Sequence, residues 1–180
     1  SAATYFDDDP GVLISACLFG DGAGAAVLSQ EPTGRSRRVE WKTAVSVLKP
    51  AHRDQLRFEQ RGGLLRNVLT LEVPALAAQA VAEILDQALT RASVSRGEIS
   101  GWMMHAGGRD VLNALRRKLG LVPEDLRWSW EVLREYGNMS SASVYFTLQR
   151  ALAGGAPAGW WWLCSFGAGF SCHGALLRVE

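Results

Sequence analysis

The stretch Trp102-Met103-Met104-His105-Ala106-Gly107-Gly108, followed by Val111, Leu112, Leu115 and Leu119, decides the fold class. Three large apolar residues in a row read as a short buried strand, and the two glycines read as a turn. The recurrence at helical spacing then reads as a helix that Gly120 stops. Working toward the N-terminus, Leu76, Ala80, Ile84 and Ala88, with Ala77, Val81 and Leu85 beside them, form the apolar face of another helix. Pro74 suits its first turn, and Gly97 lies beyond its end. Toward the C-terminus, Asn138 precedes a helix whose Ala142, Tyr145, Phe146, Gln149 and Leu152 share one face, and Gly154-Gly155 ends it. Trp160 to Phe166 and Phe170 to Val179 then read as two strands joined by Gly167-Ala168-Gly169. Strands alternating with helices predict an α/β layered fold, and the terminal hairpin makes its sheet mixed.

The remaining segments are less regular. Asp7-Asp8-Asp9-Pro10-Gly11 is a polar turn, and Val12 to Phe19 is apolar enough for helix or strand. Ala25-Ala26-Val27-Leu28 is short enough for a buried strand. Glu31 to Arg38, with Pro32, Gly34 and three arginines, is the best linker. Trp41 to Leu48 reads as a strand, and Leu56 to Leu69 as a strand pair turned at Gly62-Gly63. Pro123 to Trp130 reads as a connection, and Glu131-Val132-Leu133 as a short element. Trp160-Trp161-Trp162 on an alternating strand must send large rings to both faces, so both faces need cover.

Composition narrows the class of partner. The chain has 180 residues, and 19 basic against 18 acidic side chains leave a net charge of +1. Such a balance gives no field for nucleic acid or an anionic membrane. No apolar run approaches the ~20 residues of a membrane span. Three cysteines, Cys17, Cys164 and Cys172, cannot all pair internally. Without a basic-then-apolar leader they are expected to be reduced thiols in a cytoplasmic protein. The chain opens at Ser1 with no initiating Met, as a piece of something longer would.

His105 follows a predicted strand and precedes a helix, the edge of an α/β sheet where ligands bind. Gly107 and Gly108 would let a substrate approach the backbone; the plainer alternative is a core histidine before an ordinary turn. Asn138 has a similar setting, and its plainer role is a helix N-cap. Together, a His N–H and an Asn amide at two such junctions could converge on one developing oxyanion. Neither is a nucleophile, so the pair is half an active site.

Other motifs carry less. Gly20-Asp21-Gly22-Ala23-Gly24 lacks the Lys-Ser/Thr of a P-loop, and Leu163 to Gly167 lacks the first Gly of a nucleophile elbow. No CxxC or HExxH is present, so no metal site is expected. Cys17, in an apolar segment, is expected to be a buried thiol. Cys164 and Cys172, on the two strands of a hairpin, are expected to pack.

Taken together, the motifs resemble the chalcone synthase-like type III polyketide synthases of the thiolase superfamily. Leu18-Phe19-Gly20-Asp21-Gly22-Ala23-Gly24-Ala25 looks like the family's F-G-D-G-A segment, and Trp102 to Gly108 resembles W-x-x-H-P-G-G. Glu135 to Ala142 matches E-Y-G-N-M-S-S-A, and Phe166 to Gly169 is similar to the G-F-G-P-G loop. The resemblance implies a five-layer αβαβα fold of two thiolase-like halves. Residues 1–30 would end the first half, and residues 31–180 would be the C-terminal thiolase-like domain.

The resemblance further implies a decarboxylative condensation of malonyl-CoA onto an acyl starter carried by a Cys of the first half. His105 and Asn138 fall on the family's catalytic His and Asn. Gly107, Gly108, Asn67, Gly167, Ala168 and Gly169 would contact substrate. The implied partners are acyl-CoA and malonyl-CoA, the N-terminal half and a second copy in a homodimer, with no cofactor beyond the coenzyme A thioesters. Three departures stand out. Ala106 and Ala168 replace prolines, and Asn67 falls where plant members carry a gatekeeping Phe, which loosens any tie to flavonoid substrates. The alternatives are a β-ketoacyl-acyl carrier protein synthase III-like enzyme and a non-catalytic thiolase-like assembly module.

Overall fold

A computed structural model describes residues 10–31, 37–61 and 64–180. Asp7 to Asp9 of the expected turn, the centre of the expected linker (32–36) and the Gly62-Gly63 turn lie outside the described residues. Pro10 and Gly11, the rest of that expected turn, instead begin a helix. In chain order the elements are α1 (Pro10–Leu18), β1 (Val39–Leu48), β2 (Leu56–Arg61), β3 (Leu64–Leu69), α2 (Val73–Ala92) and β4 (Ile99–Met104). There follow α3 (Arg109–Leu119), α4 (Arg127–Tyr136), α5 (Ser143–Ala153), β5 (Gly159–Gly167) and β6 (Ser171–Val179). One sheet has the order β1-β6-β5-β4, and β2 pairs with β3 separately. The β4–β5 pair is parallel, whereas β5–β6 and β1–β6 are antiparallel, so the sheet is mixed as expected.

The tryptophan triplet shows how the layers assemble. Trp162 and the partly buried Trp160 face α2 and α3, in a core with Ile84, Leu112, Leu115 and Leu176. Trp161 faces the other way, into a second core with Met103, Ala151 and Leu177 that Leu148 and Trp128 help to close. Helices therefore cover both faces, which is the demand that three consecutive indoles impose. Each buried indole needs a gap in the neighbouring strand. A Cβ added at Gly101 on β4 would lie 2.7 Å from the Trp161 ring, and one at Gly174 on β6 would lie 2.2 Å from the Trp162 ring. The glycines are thus the space into which the tryptophans fit.

Helix α2 runs 20 residues with Val73, Ala77, Val81, Ile84 and Ala88 buried, and it ends at Ser93 in the left-handed conformation. Helix α3 ends at Gly120, φ 65°, as its sequence predicts. Among the described residues, no helix is long and apolar enough to cross a membrane.

Two segments depart from the sequence expectation. Ala25 to Leu28 form no strand; Val27 and Leu28 are 93% and 78% exposed, because no described strand lies beside them to complete a ladder. Residues 127–130 are not a connection but the start of α4, and Glu131 to Leu133 lie in its middle. The helical period was hidden by Ser129, which is fully buried and turns inward as an apolar residue would. Its hydroxyl donates to the Met104 carbonyl (2.9 Å) and accepts from the Met104 N–H (3.1 Å), fastening α4 to the edge of β4 that no strand pairs with.

Gly174→Ala should destabilise the chain by ~1–3 kcal/mol through overpacking against Trp162. Gly97, with nothing within 4 Å of an added Cβ, is the matched control and should lose almost nothing as Gly97→Ala. Urea unfolding of the two variants checks this; equal midpoints would overturn the packing argument.

Candidate active site

His105 lies one residue past β4 and continues its ladder, its N–H donating to the Cys164 carbonyl (2.9 Å). The chain then turns at once, with the Gly107 N–H bonded to the His105 carbonyl (2.9 Å) before α3 begins. This places a 5%-exposed imidazole at the end of the sheet. One ring edge meets Phe166 at the end of β5, with centroids 5.0 Å apart and planes at 79°. Nδ1 lies 2.7 Å from the hydroxyl of Ser143, the first residue of α5. The Cδ2–Nε2 edge runs past Gly107, where an added Cβ would lie 3.0 Å from Cδ2, 3.1 Å from Nε2 and 3.3 Å from Phe166. Gly107 therefore keeps the Nε2 edge clear.

Asn138 is buried as well, and it is held from both sides. Its Oδ1 accepts from the Ser140 N–H (2.9 Å), so the capping role is real. Its Nδ2 donates to the Gly107 carbonyl (3.1 Å), so the same amide also reaches the loop after His105. The backbone is tied to the segment after α1: Asn138 N–H to the Leu18 carbonyl (2.9 Å) and Gly20 N–H to the Asn138 carbonyl (3.1 Å). Gly20, Gly22 and Gly24 make that contact possible. Added Cβ atoms would fall 1.8 Å from the Tyr136 carbonyl oxygen, 2.5 Å from Met139 Sδ and 2.7 Å from Tyr145. The alternating glycines are thus a flat face laid against the Asn138 loop.

His105 and Asn138 line one cavity of about 930 Å³. Of the other expected contacts, Asn67, Gly107, Gly108, Gly167 and Ala168 also line it; Gly169 does not, and sits in the β5–β6 turn at φ 128°. Asn67, on β3, is 6% exposed and its Oδ1 has no hydrogen-bond partner. Several lining residues were not singled out in the sequence: Phe58 on β2, Phe166 on β5, and Arg109, Asn113 and Arg117 on α3. The α3 set was readable, since positions four apart share a helix face.

No cysteine lines the cavity. Cys164 and Cys172 are buried against α2, and burial raises both thiols, Cys172 to about 12. Cys17 corrects the expectation of burial, because it is exposed. Helix α1 is apolar nearly all round, and it turns Val12 and Ser15 inward and Leu13 and Cys17 outward. Its sequence offers no polar face from which the buried one could be told. Among the described residues, no cluster of three potential metal ligands occurs.

A mixed sheet covered by helices, with a His and an Asn lining one cavity at its end, defines a thiolase-like α/β domain. Residues 43–179 match the family described as chalcone and stilbene synthases, C-terminal domain, and the chain belongs to that family. It is 30% identical, over 99% of its length, to 3,5-dihydroxyphenylacetyl-CoA synthase of Streptomyces toyocaensis. It spans 48% of that relative. Among solved structures it is similar to 1,3,6,8-tetrahydroxynaphthalene synthase of Streptomyces coelicolor A3(2), with 28% identity and a TM-score of 0.84 over 96% of this chain and 50% of that one. It is also similar to PKS-I of the brown alga Ectocarpus siliculosus, with 28% identity and a TM-score of 0.78 over 97% of this chain and 48% of that one.

Burial pushes the His105 imidazole down from 6.5 to about 4, while the Ser140 carbonyl beside it opposes the shift. The unfolded chain therefore binds a proton at higher pH than the folded one. Stability from this residue is complete above pH ~6.5 and drains as pH falls toward ~4, by about 3 kcal/mol in all. An NMR titration of His105 should show a midpoint near the lower value; an unshifted midpoint would mean that the ring is hydrated.

Proposed function

We propose that this chain is the C-terminal catalytic half of a type III polyketide synthase, supplying the His/Asn site for decarboxylative condensation. One observation carries the reading: His105 and Asn138 border a single cavity, joined through Gly107, and no cysteine of the chain reaches it. Residues 1–30 would then close an N-terminal half, and residues 31–180 would form the C-terminal domain. The nucleophilic thiol would come from that N-terminal half.

The chemistry follows from the donor set. The thiol proton passes to His105, leaving a thiolate that attacks the starter's CoA thioester; the acyl–sulfur bond to CoA breaks, and CoA leaves as a thiolate that is protonated by water. Asn138 Nδ2 carries two hydrogens, and Gly107 engages one of them. The other, with the Nε2–H of protonated His105, would hold the malonyl thioester carbonyl while CO₂ leaves. Two preset donors stabilise the enolate, which attacks the acyl-Cys carbonyl and displaces the thiolate. The buried Oδ1 of Asn67 would accept from an enol or hydroxyl of the growing chain, where an aromatic side chain could only exclude it. The protein would be cytoplasmic, homodimeric and free of cofactors other than its coenzyme A thioester substrates.

In the full-length enzyme, Asn138→Ala should lower malonyl decarboxylation at least ~10²-fold. A near-normal rate would reduce Asn138 to a cap. The chain by itself, incubated with a labelled acyl-CoA, should show no stoichiometric adduct by intact-protein mass spectrometry. An acyl group on Cys17, Cys164 or Cys172 would make that residue the nucleophile and overturn the half-site reading.

A further inference from the structure

Ser143 is fully buried and stands between two groups that decide its orientation. Its Oγ is 2.6 Å from the Ser140 carbonyl oxygen and 2.7 Å from His105 Nδ1. A carbonyl oxygen can only accept, so the single hydroxyl hydrogen is committed to Ser140. Toward the ring, Ser143 therefore presents lone pairs. The Ser140 carbonyl, bonded to the same Ser143 hydroxyl that lies beside Nδ1, presents lone pairs there too. A neutral imidazole has one N–H, and two acceptors on the Nδ1 side draw it there. Nε2 is left with a lone pair, on the edge that Gly107 keeps open.

We propose that Ser143 is a positioning residue, whose hydroxyl holds neutral His105 as its Nδ1–H tautomer and so keeps Nε2 a proton acceptor toward the cavity. The proposal rests on the reading of His105 as the group that deprotonates a thiol. The local structure holds the hydroxyl in place. Ser140 has a left-handed backbone at φ 55°, uncommon for a residue with a side chain. Two bonds hold it there: its N–H to Asn138 Oδ1 (2.9 Å) and its carbonyl to Ser143 Oγ. One turn along α5, Thr147 Oγ1 donates to the Ser143 carbonyl (2.9 Å), fixing the residue from below.

The tautomer separates two steps that the same imidazole serves. Loading needs the Nε2 lone pair: the thiol S–H bond breaks, an Nε2–H bond forms, and the ring becomes an imidazolium with both nitrogens protonated. Holding the malonyl carbonyl needs the Nε2–H that this transfer has made. A ring held in the opposite tautomer could donate to a carbonyl at once but could not take the thiol proton at that edge. Loss of Ser143 should therefore slow acyl loading more than it slows malonyl decarboxylation. Loss of Asn138, whose amide is not a base that could take the thiol proton, should do the reverse.

The tautomer is read directly by ¹⁵N NMR of the histidine-labelled chain at neutral pH, where His105 is uncharged. The expected wild-type signature is Nδ1 protonated and Nε2 bare. Ser143→Ala, at the first position of a helix, should leave the amide spectrum folded and shift His105 to a mixture of both tautomers. Ser143→Cys, close in volume and weaker as an acceptor, should fall between the two. A wild-type ring protonated at Nε2 would overturn the proposal. So would Ser143→Ala with Nδ1–H undiminished, since the Ser140 carbonyl would then suffice. In the full-length enzyme, Ser143→Ala should cut acyl loading ~10-fold, the scale on which orienting partners of a working histidine act, with a smaller loss in decarboxylation. Equal losses in both steps would mark Ser143 as merely structural. A full-length protein inactive in condensation would instead sink the functional reading and leave the tautomer result standing.

Discussion

Asn138 is the joint on which the site depends, because one residue ties its own loop to two segments that are distant in sequence. Its backbone meets Leu18 and Gly20, its Oδ1 meets Ser140, and its Nδ2 meets Gly107. Removing the side chain would free the Ser140 N–H and the Gly107 carbonyl together, and with them both side-chain ties that hold the loop. The glycines at 20, 22 and 24 serve the same joint from outside. Any side chain at Gly20 would collide with the Tyr136 carbonyl and lift the extended segment away from Asn138. A motif that looks like a phosphate cradle in the sequence is a packing surface for the loop that carries the amide.

The sheet supplies the second constraint. His105 and Phe166 end adjacent parallel strands, and their depth is set by the register that pairs Met104 with Cys164. That register is fixed by the indoles beneath it, since Trp161 and Trp162 must each meet a glycine in the neighbouring strand. A one-residue slip of β5 would drive an indole into backbone and send the adjacent apolar residues to the wrong face. The rings that build the core are therefore also what places the imidazole beside Phe166.

How much of this was legible follows from which residues carried it. Elements with a single unbroken period, α2, α3 and the β5–β6 hairpin, were readable from spacing alone. Helix α4 was not, because its inward Ser129 bonds to the backbone of β4, and a hydroxyl in an apolar stripe breaks the pattern that reveals it. Cys17 misled for the opposite reason, an apolar helix with no polar face to orient it. Ala25 to Leu28 has the composition of a strand but no described neighbour to pair with, and pairing is what makes a strand. His105 and Asn138 were visible because strand–turn–helix junctions are. Ser143 was not, because its role depends on where its one hydrogen goes, and that is decided by Ser140 at an unusual backbone angle.

Burial gives the site its strength and also its dependence on a partner. The low-dielectric surroundings that would sharpen two hydrogen bonds to an enolate also hold His105 near 4, a weak base by itself. Among the described residues no charged group relieves that: the shift comes from desolvation, opposed by one carbonyl. On the proposed reading the relief comes with the thiol, because a thiolate beside Nε2 stabilises the imidazolium that burial disfavours. Proton transfer between the two would then be favourable only as a pair, each ion supplying the countercharge the other lacks. On that reading the histidine would stay neutral until a nucleophile is beside it. That makes the assembly of the cavity, more than any single residue in it, the condition for chemistry.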